Sequence, residues 1–401
     1  MRWRSAPLWS VAPPVREVVS AEQLPSEVLH YSIPALEERG LPSLELGETV
    51  LSAKLAVQKG DVLIGRLNPR KARIALVDRH MPGATIASTE FAALRPHSVD
   101  TRFLLYVLQS ESTRQRLDSL VKSVTRSHQR VDAAEITHLP VPLPRTEEQR
   151  RIANFLDDQI GLIDLLISER RRQIGLVKER VRAGLEEVLV SDTADTVPLQ
   201  KLTDPARPVQ YGIVLPGPDF PGGVPIVKGG DVAAHRMSRD ELNRTSPEIE
   251  AGYPRSRLVG GDILIAIRGS VGELAVVPSE LDGANITQDA ARIAPFQCDP
   301  RWLRWVLATP TVQGAIQRMV TGATVKGINI GDLRRVLIPT PNLARQAVLG
   351  LEAERLAAHA AQSLSVLSES ISLLDERKRV LITAAVSGDL SPSAVWGRGV
   401  A

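Results

Sequence analysis

The 401-residue sequence has a single cysteine, Cys298. No internal disulfide can form, and a zinc site built on cysteines is excluded. Aromatic residues make up only 3%, so ring stacking cannot dominate the core or any binding surface. No run reaches the roughly 20 apolar residues of a membrane span. The opening Met1-Arg2-Trp3-Arg4, followed by Pro7, Pro13 and Pro14, lacks the apolar stretch of a signal peptide. The expectation is a cytoplasmic protein with no membrane association. Neither sign of charge is in large excess: 49 Lys and Arg face 46 Asp and Glu, a net of +3. That excludes a uniformly basic shell but not a local basic face.

Catalytic signatures are missing too. There is no G-x-x-x-x-G-K-[ST] phosphate loop, no G-x-G-x-x-G after a strand, no H-E-x-x-H, no G-x-S-x-G, and no Asn-Pro-Pro-aromatic tetrapeptide of the methyltransferase type. The seven histidines are scattered without ligand spacing, so no metal site is expected. Asp157 and Asp158 are adjacent, and on a helix they diverge rather than act as a carboxylate pair. The reading is a non-catalytic binding protein.

What is present is a repeat. Gly60-Asp61-Val62-Leu63-Ile64 returns as Gly261-Asp262-Ile263-Leu264-Ile265, 201 residues later. Asp100-Thr101-Arg102-Phe103-Leu104 returns as Asp299-Pro300-Arg301-Trp302-Leu303, 199 later, and Pro142-Leu143-Pro144 with Gln149 returns as Pro339-Thr340-Pro341 with Gln346, 197 later. Three matches in the same order with slowly drifting offsets mark a tandem duplication of a roughly 200-residue unit. Within each unit, short β-branched runs cut by Pro and Gly read as strands, with one helical insert near 100–119 and 299–319. Phe103, Tyr106, Trp302 and Trp305 on these inserts read as core.

Pro then disappears and the pattern becomes helical. Leu156, Ile160, Ile163, Ile167, Ile174, Val177, Val181 and Val188 form a heptad seam interrupted at Arg170 and Gly184; Leu349, Ala353, Leu356, Ala360, Leu364, Leu367, Ile371, Leu374 and Leu381 form a second. Thr146-Glu147-Glu148-Gln149 fits a capping box at the first start. Arg150-Arg151 and Arg170-Arg171-Arg172 read as a solvated helix face. The expected fold is α+β: β-rich domains at 1–145 and 193–341, and antiparallel helices at 146–192 and 342–390 that form an internal coiled coil and space the domains. Residues 391–401 are expected to be a flexible tail.

The remaining signal is in polar loops. Arg66, Asn68, Arg70, Lys71 and Arg73 follow one strand, and Arg126-Ser127-His128-Gln129-Arg130 precede the helix. Arg268 and Ser270, then Lys326 and Asn329, hold the matching places in the second unit; Tyr211, Lys228 and Gln288 complete the set of candidate DNA contacts. Arg suits guanine edges, Asn and Gln suit adenine, and Ser and Lys suit phosphate. Like frames carry unlike loops.

The Pro-x-Pro lead, Glu-Gln-Arg-Arg-Ile-Ala-x-Phe-Leu-Asp at 148–157, Ile163-Asp164-Leu165-Leu166-Ile167, and Lys378-Arg379-Val380-Leu381-Ile382-Thr383-Ala384-Ala385-Val386-Ser387-Gly388 resemble the specificity subunit of type I restriction-modification systems. Tyr31-Ser32-Ile33-Pro34-Ala35 and Leu67-Asn68-Pro69-Arg70 are similar to segments of its target recognition domains. The resemblance implies two target recognition domains, each reading half of a split, asymmetric site on double-stranded DNA, with the helices as a ruler. It implies two methyltransferase subunits and motor-nuclease restriction subunits as partners. No cofactor is implied on this chain; S-adenosylmethionine, ATP and Mg²⁺ belong to those partners. The alternative reading is a protein-interaction scaffold with a coiled-coil spacer and no sequence-specific DNA binding.

Overall fold

The computed structural model describes residues 3–71, 73–121, 129–191, 195–322 and 326–390. The chain divides into two compact units, Met1–Arg170 with Glu369–Ala401, and Arg171–Ser368. Each therefore holds one β-rich region and part of both long helices, which run Thr146–Leu189 and Leu343–Ser387. The sequence boundaries at 145 and 341 mark the helix starts, whereas the units divide within the helices.

In the first unit, strands Val62–Gly65, Ile74–Leu76 and Phe91–Leu94 form an antiparallel sheet with Val62–Gly65 central. A five-stranded sheet lies beside it in sequence, with Thr85–Ser88 paired parallel to Glu27–Tyr31. The second unit repeats the central sheet with Ile263–Ala266 between Leu274–Val276 and Ala290–Ile293. Its other sheet has only three strands. In each unit a two-stranded ribbon leads to the long helix: Arg4–Pro7 with Pro140–Leu143, and Thr196–Pro198 with Leu337–Pro339. Prolines are tolerated there because each ribbon strand keeps a free edge.

The repeated motifs each have a structural job. Gly60 and Gly261 take φ of 94° and 91°, a left-handed conformation that favours glycine. Asp61 and Asp262 then accept from the amides of Gln58 and Val259, both at 2.9 Å, closing the turn before the central strand. Each carboxylate also takes a two-pronged arginine, Arg95 on Asp61 (2.9 and 2.9 Å) and Arg207 on Asp262 (3.0 and 2.5 Å). Those arginines come from opposite sides of the motif in the chain, so no pattern links them.

Asp100 and Asp299 are N-caps. The first accepts from Arg102 and Phe103 amides (3.1 and 3.1 Å) to start helix Thr101–Gln109; the second accepts from Arg301 and Trp302 (2.9 and 3.1 Å) to start Pro300–Val306. Phe103 and Trp302 follow the caps and are fully buried, as expected of core residues. A second short helix follows in each unit, Glu111–Ser119 and Pro310–Arg318.

The capping box expected at Thr146 is corrected. Gln149 is buried and does not reach back to its own helix start; its side-chain oxygen accepts from the Asp100 amide (2.8 Å) and its amide donates to the Pro144 carbonyl (2.9 Å). Gln346 does the same between the Asp299 amide (3.0 Å) and the Pro341 carbonyl (2.8 Å). One glutamine in each copy thus joins the ribbon, the capped short helix and the long helix. Asn342 caps the second long helix by accepting from the Arg345 amide at 2.9 Å.

Contacts along the seams run in opposite senses, Asp164 with Lys378 (2.6 and 2.8 Å) and Gly184 with Leu356, so the helices are antiparallel. At the seam interruption Gly184 packs against Leu356, where a Cβ would lie 2.9 Å from a leucine methyl and require that side chain to shift. Asp157 is not simply solvated, since Tyr106 and Arg102 both donate to it (2.8 and 2.5 Å).

Candidate nucleic-acid interface

In both units the two candidate loops are brought together. In the first, the Asn68 amide donates to the Gln129 carbonyl (2.7 Å), Leu67 bridges to Arg130, and the Val131 amide donates to Arg66 (3.0 Å). In the second, Arg268 bridges to Gly327, and the Ile328 amide donates to Ile267 (3.0 Å). Segments some 60 residues apart are stitched beyond the end of the same central strand in each copy. Arg126, Ser127 and His128 lie outside the described residues.

The first copy uses most of its described basic residues internally. Arg66 is half-buried, its guanidinium directed to the carbonyls of Val131 and Thr89, both at 3.4 Å. Arg73 is largely buried and holds Glu37 (2.5 and 2.8 Å) and the Leu67 carbonyl (2.6 Å); Lys71 reaches the same Glu37 at 3.2 Å. These two cations, Arg73 foremost, hold the Glu37 carboxyl below the usual carboxylate range. Arg130 pairs with Glu90 at 2.8 Å. Asn68 has φ of 49°, a left-handed turn that asparagine tolerates better than most residues. Arg70 sits in the single turn Pro69–Lys71, and Gln129 is half-buried.

The second copy presents its set differently. Arg268, Ser270, Lys326 and Tyr211 are exposed, and Arg268 is only loosely paired, 4.0 Å from Asp289. Ser270 and Lys326 line a shallow cleft of about 210 Å³ with Gln317 and Glu273. Lys228 is half-buried, its amide donating to Asp231, and the half-buried Gln288 donates its amide to Ile213. Asn329 has a structural role, accepting from the Asp332 amide (2.9 Å) to cap helix Ile330–Arg335. Among the described residues, no group of three His, Cys, Asp or Glu is placed to hold a metal ion. Burial pushes the Cys298 thiol up to about 11, which leaves it un-ionised at neutral pH.

Sequence reading missed the carboxylates. Glu37 and Glu90 decide which cations are free, yet they lie 36 and 40 residues from Arg73 and Arg130, beyond the reach of any local pattern. It also missed Arg292, a strand residue 1% exposed whose guanidinium donates to the carbonyls of Pro208 and Arg255.

Paired polar loops on a duplicated β frame, followed by long helices, also have counterparts among known proteins. Residues 32–174 match the type I restriction modification DNA specificity domain. The EcoBI type I specificity subunit of Escherichia coli is 24% identical over 306 residues, covering 70% of this chain and 64% of that subunit. A putative MjaX specificity subunit of Methanocaldococcus jannaschii is 22% identical, over 74% of this chain and 71% of its own. A solved chain of a type I R-M system superposes with a TM-score of 0.69 at 22% identity, covering 97% of this chain and 98% of that one. Along most of its length the chain is similar to type I restriction enzyme specificity subunits, and it shares the fold of that solved chain. No helix among the described residues is long and apolar enough to cross a membrane.

Proposed function

We propose that this chain is the non-catalytic, cytoplasmic DNA-recognition subunit of a type I restriction-modification complex. Each β-rich domain reads one half of a bipartite, asymmetric site on double-stranded DNA, and the long helices set the unread gap and dock two methyltransferase subunits. Restriction subunits join that assembly. S-adenosylmethionine serves the methyltransferase subunits, and ATP and Mg²⁺ the restriction subunits. The observation that carries this reading is the pair of unlike loops stitched together at the same place on each copy of one frame. A DNA backbone has twofold symmetry where its bases do not, so a duplicated protein can set equivalent frames on both half-sites while different loops read different bases.

The two arginines at these loops are expected to behave differently. In the complex with its methyltransferase subunits, Arg268→Ala should relax discrimination at one half-site only, by about 1–3 kcal/mol per lost bidentate contact. Arg66→Ala, which frees two carbonyls rather than a base contact, should weaken binding to cognate and altered sites alike. Binding measured against a panel of single-base site variants distinguishes the two outcomes. Uniform losses for Arg268→Ala would assign that residue to the phosphate backbone.

A further inference from the structure

The two copies carry a cleft at the same place, between the outer strand of the central hairpin and the inserted helix. In the first it is about 650 Å³ and is lined by Leu76, Leu105 and Gln109; in the second it is about 590 Å³ and is lined by Leu274, Arg304 and Ala308. The 199-residue offset makes Leu105 equivalent to Arg304 and Gln109 to Ala308. In the first cleft the cations Lys71 and Arg73 are both engaged by Glu37.

The second cleft is also lined by a carboxylate, Glu273, but among the described residues no ion pair joins it to the cleft's arginines. The Arg304 guanidinium stacks 4.6 Å from the centre of the Trp305 ring, and one nitrogen makes a long 3.5 Å contact to the Leu274 carbonyl. Its other terminal nitrogen, Nη1, is buried and makes no hydrogen bond. Desolvation pulls the pKa of this group down, opposed by the nearby Glu273. Arg182, from the first long helix, lines the same cleft and is exposed. The walls are tied in place: Glu186 accepts from the Thr311 amide (3.1 Å) and hydroxyl, and Gln313 donates to the carbonyls of Gly272 (3.1 Å) and Leu307 (2.7 Å).

A desolvated guanidinium with an unused N–H, beside a second arginine, calls for an anionic acceptor. Duplex phosphates lie on a convex backbone and are met by exposed cations, whereas a protein side chain can enter a recess. We propose that this cleft of the second copy is a docking pocket for a carboxylate side chain of a partner protein subunit. The first copy's cleft has Leu105 in place of that arginine, so the two copies are unequal toward one partner. This rests on the reading of the chain as one subunit of a larger complex.

The test titrates the full chain with acetyl-tetraglutamate amide, following heat and tryptophan emission, with tetraglutamine as the neutral control. Saturable binding of the acidic peptide alone is expected. Arg304→Leu, which installs the first copy's residue, should weaken it about tenfold or more. Arg182→Ala, on an exposed helix surface, should weaken it several-fold with an unchanged circular dichroism spectrum, so the proposal stays testable if Arg304→Leu fails to fold. No saturable peptide binding up to millimolar concentration, or equal binding by a folded Arg304→Leu variant, would overturn the proposal. So would displacement of the peptide by a short DNA duplex whose own affinity falls in Arg304→Leu, since the site would then take phosphate. The titration needs neither a target sequence nor a partner, so its failure leaves the DNA-recognition reading to be judged separately.

Discussion

Replacing Gln149 with leucine is expected to destabilise the first unit by about 2–4 kcal/mol, because two buried polar groups lose their partner at once. The Asp100 amide and the Pro144 carbonyl meet through this side chain. Each orphaned group costs on the order of 1–3 kcal/mol in a site this dry, and leucine, though similar in volume, repairs neither. Gln346→Leu should have an effect of similar size on the second unit, where the same two bonds recur. Urea unfolding of the full chain, followed by far-ultraviolet circular dichroism, checks both. A loss below about 0.5 kcal/mol, the usual range for surface substitutions, would show that water replaces the glutamine without cost and that the joint is not structural.

The second large effect is expected at the turn before the central strand. Asp262 is 3% exposed and holds Arg207 through both oxygens while accepting from the Val259 amide. Asp262→Ala removes one partner of a mostly buried ion pair and should cost about 3–5 kcal/mol. Asp61→Ala should cost less, because the Arg95 side chain retains 40% of its exposure against 31% for Arg207 and is more easily rehydrated. Thermal unfolding of the two variants side by side measures the difference. Equal and small shifts would show that the glycine conformation alone fixes this turn.

Much of this architecture was legible in the sequence because the signals were local. Heptad spacing placed both long helices, observed within a few residues of the expected ends, and the strands at Val62 and Ile263 follow from β-branched runs after a Gly-Asp turn. The duplication was visible because its motifs hold caps and turns that tolerate few substitutions. Long-range pairings were not legible. Thr146-Glu147-Glu148-Gln149 has capping-box spacing, but Gln149 is drawn away by a buried amide 49 residues earlier. Arg66 and Arg73 looked free as loop arginines, and only the folded chain brings Val131, Thr89 and Glu37 to them. Gly184 read as a break in a seam, and the folded chain sets Leu356 against it. Net charge proved a poor guide for the same reason, since an arginine such as Arg292 is spent inside the protein.

In the proposed function one chain reads two separated DNA half-sites with two copies of one frame. Hydroxyl-radical footprinting of the chain, assembled with its methyltransferase subunits on their target DNA, tests it most directly. Two protected patches are expected, divided by a stretch that stays open to cleavage and tolerates any base. One continuous patch, or no sequence-dependent protection at any salt concentration, would contradict it.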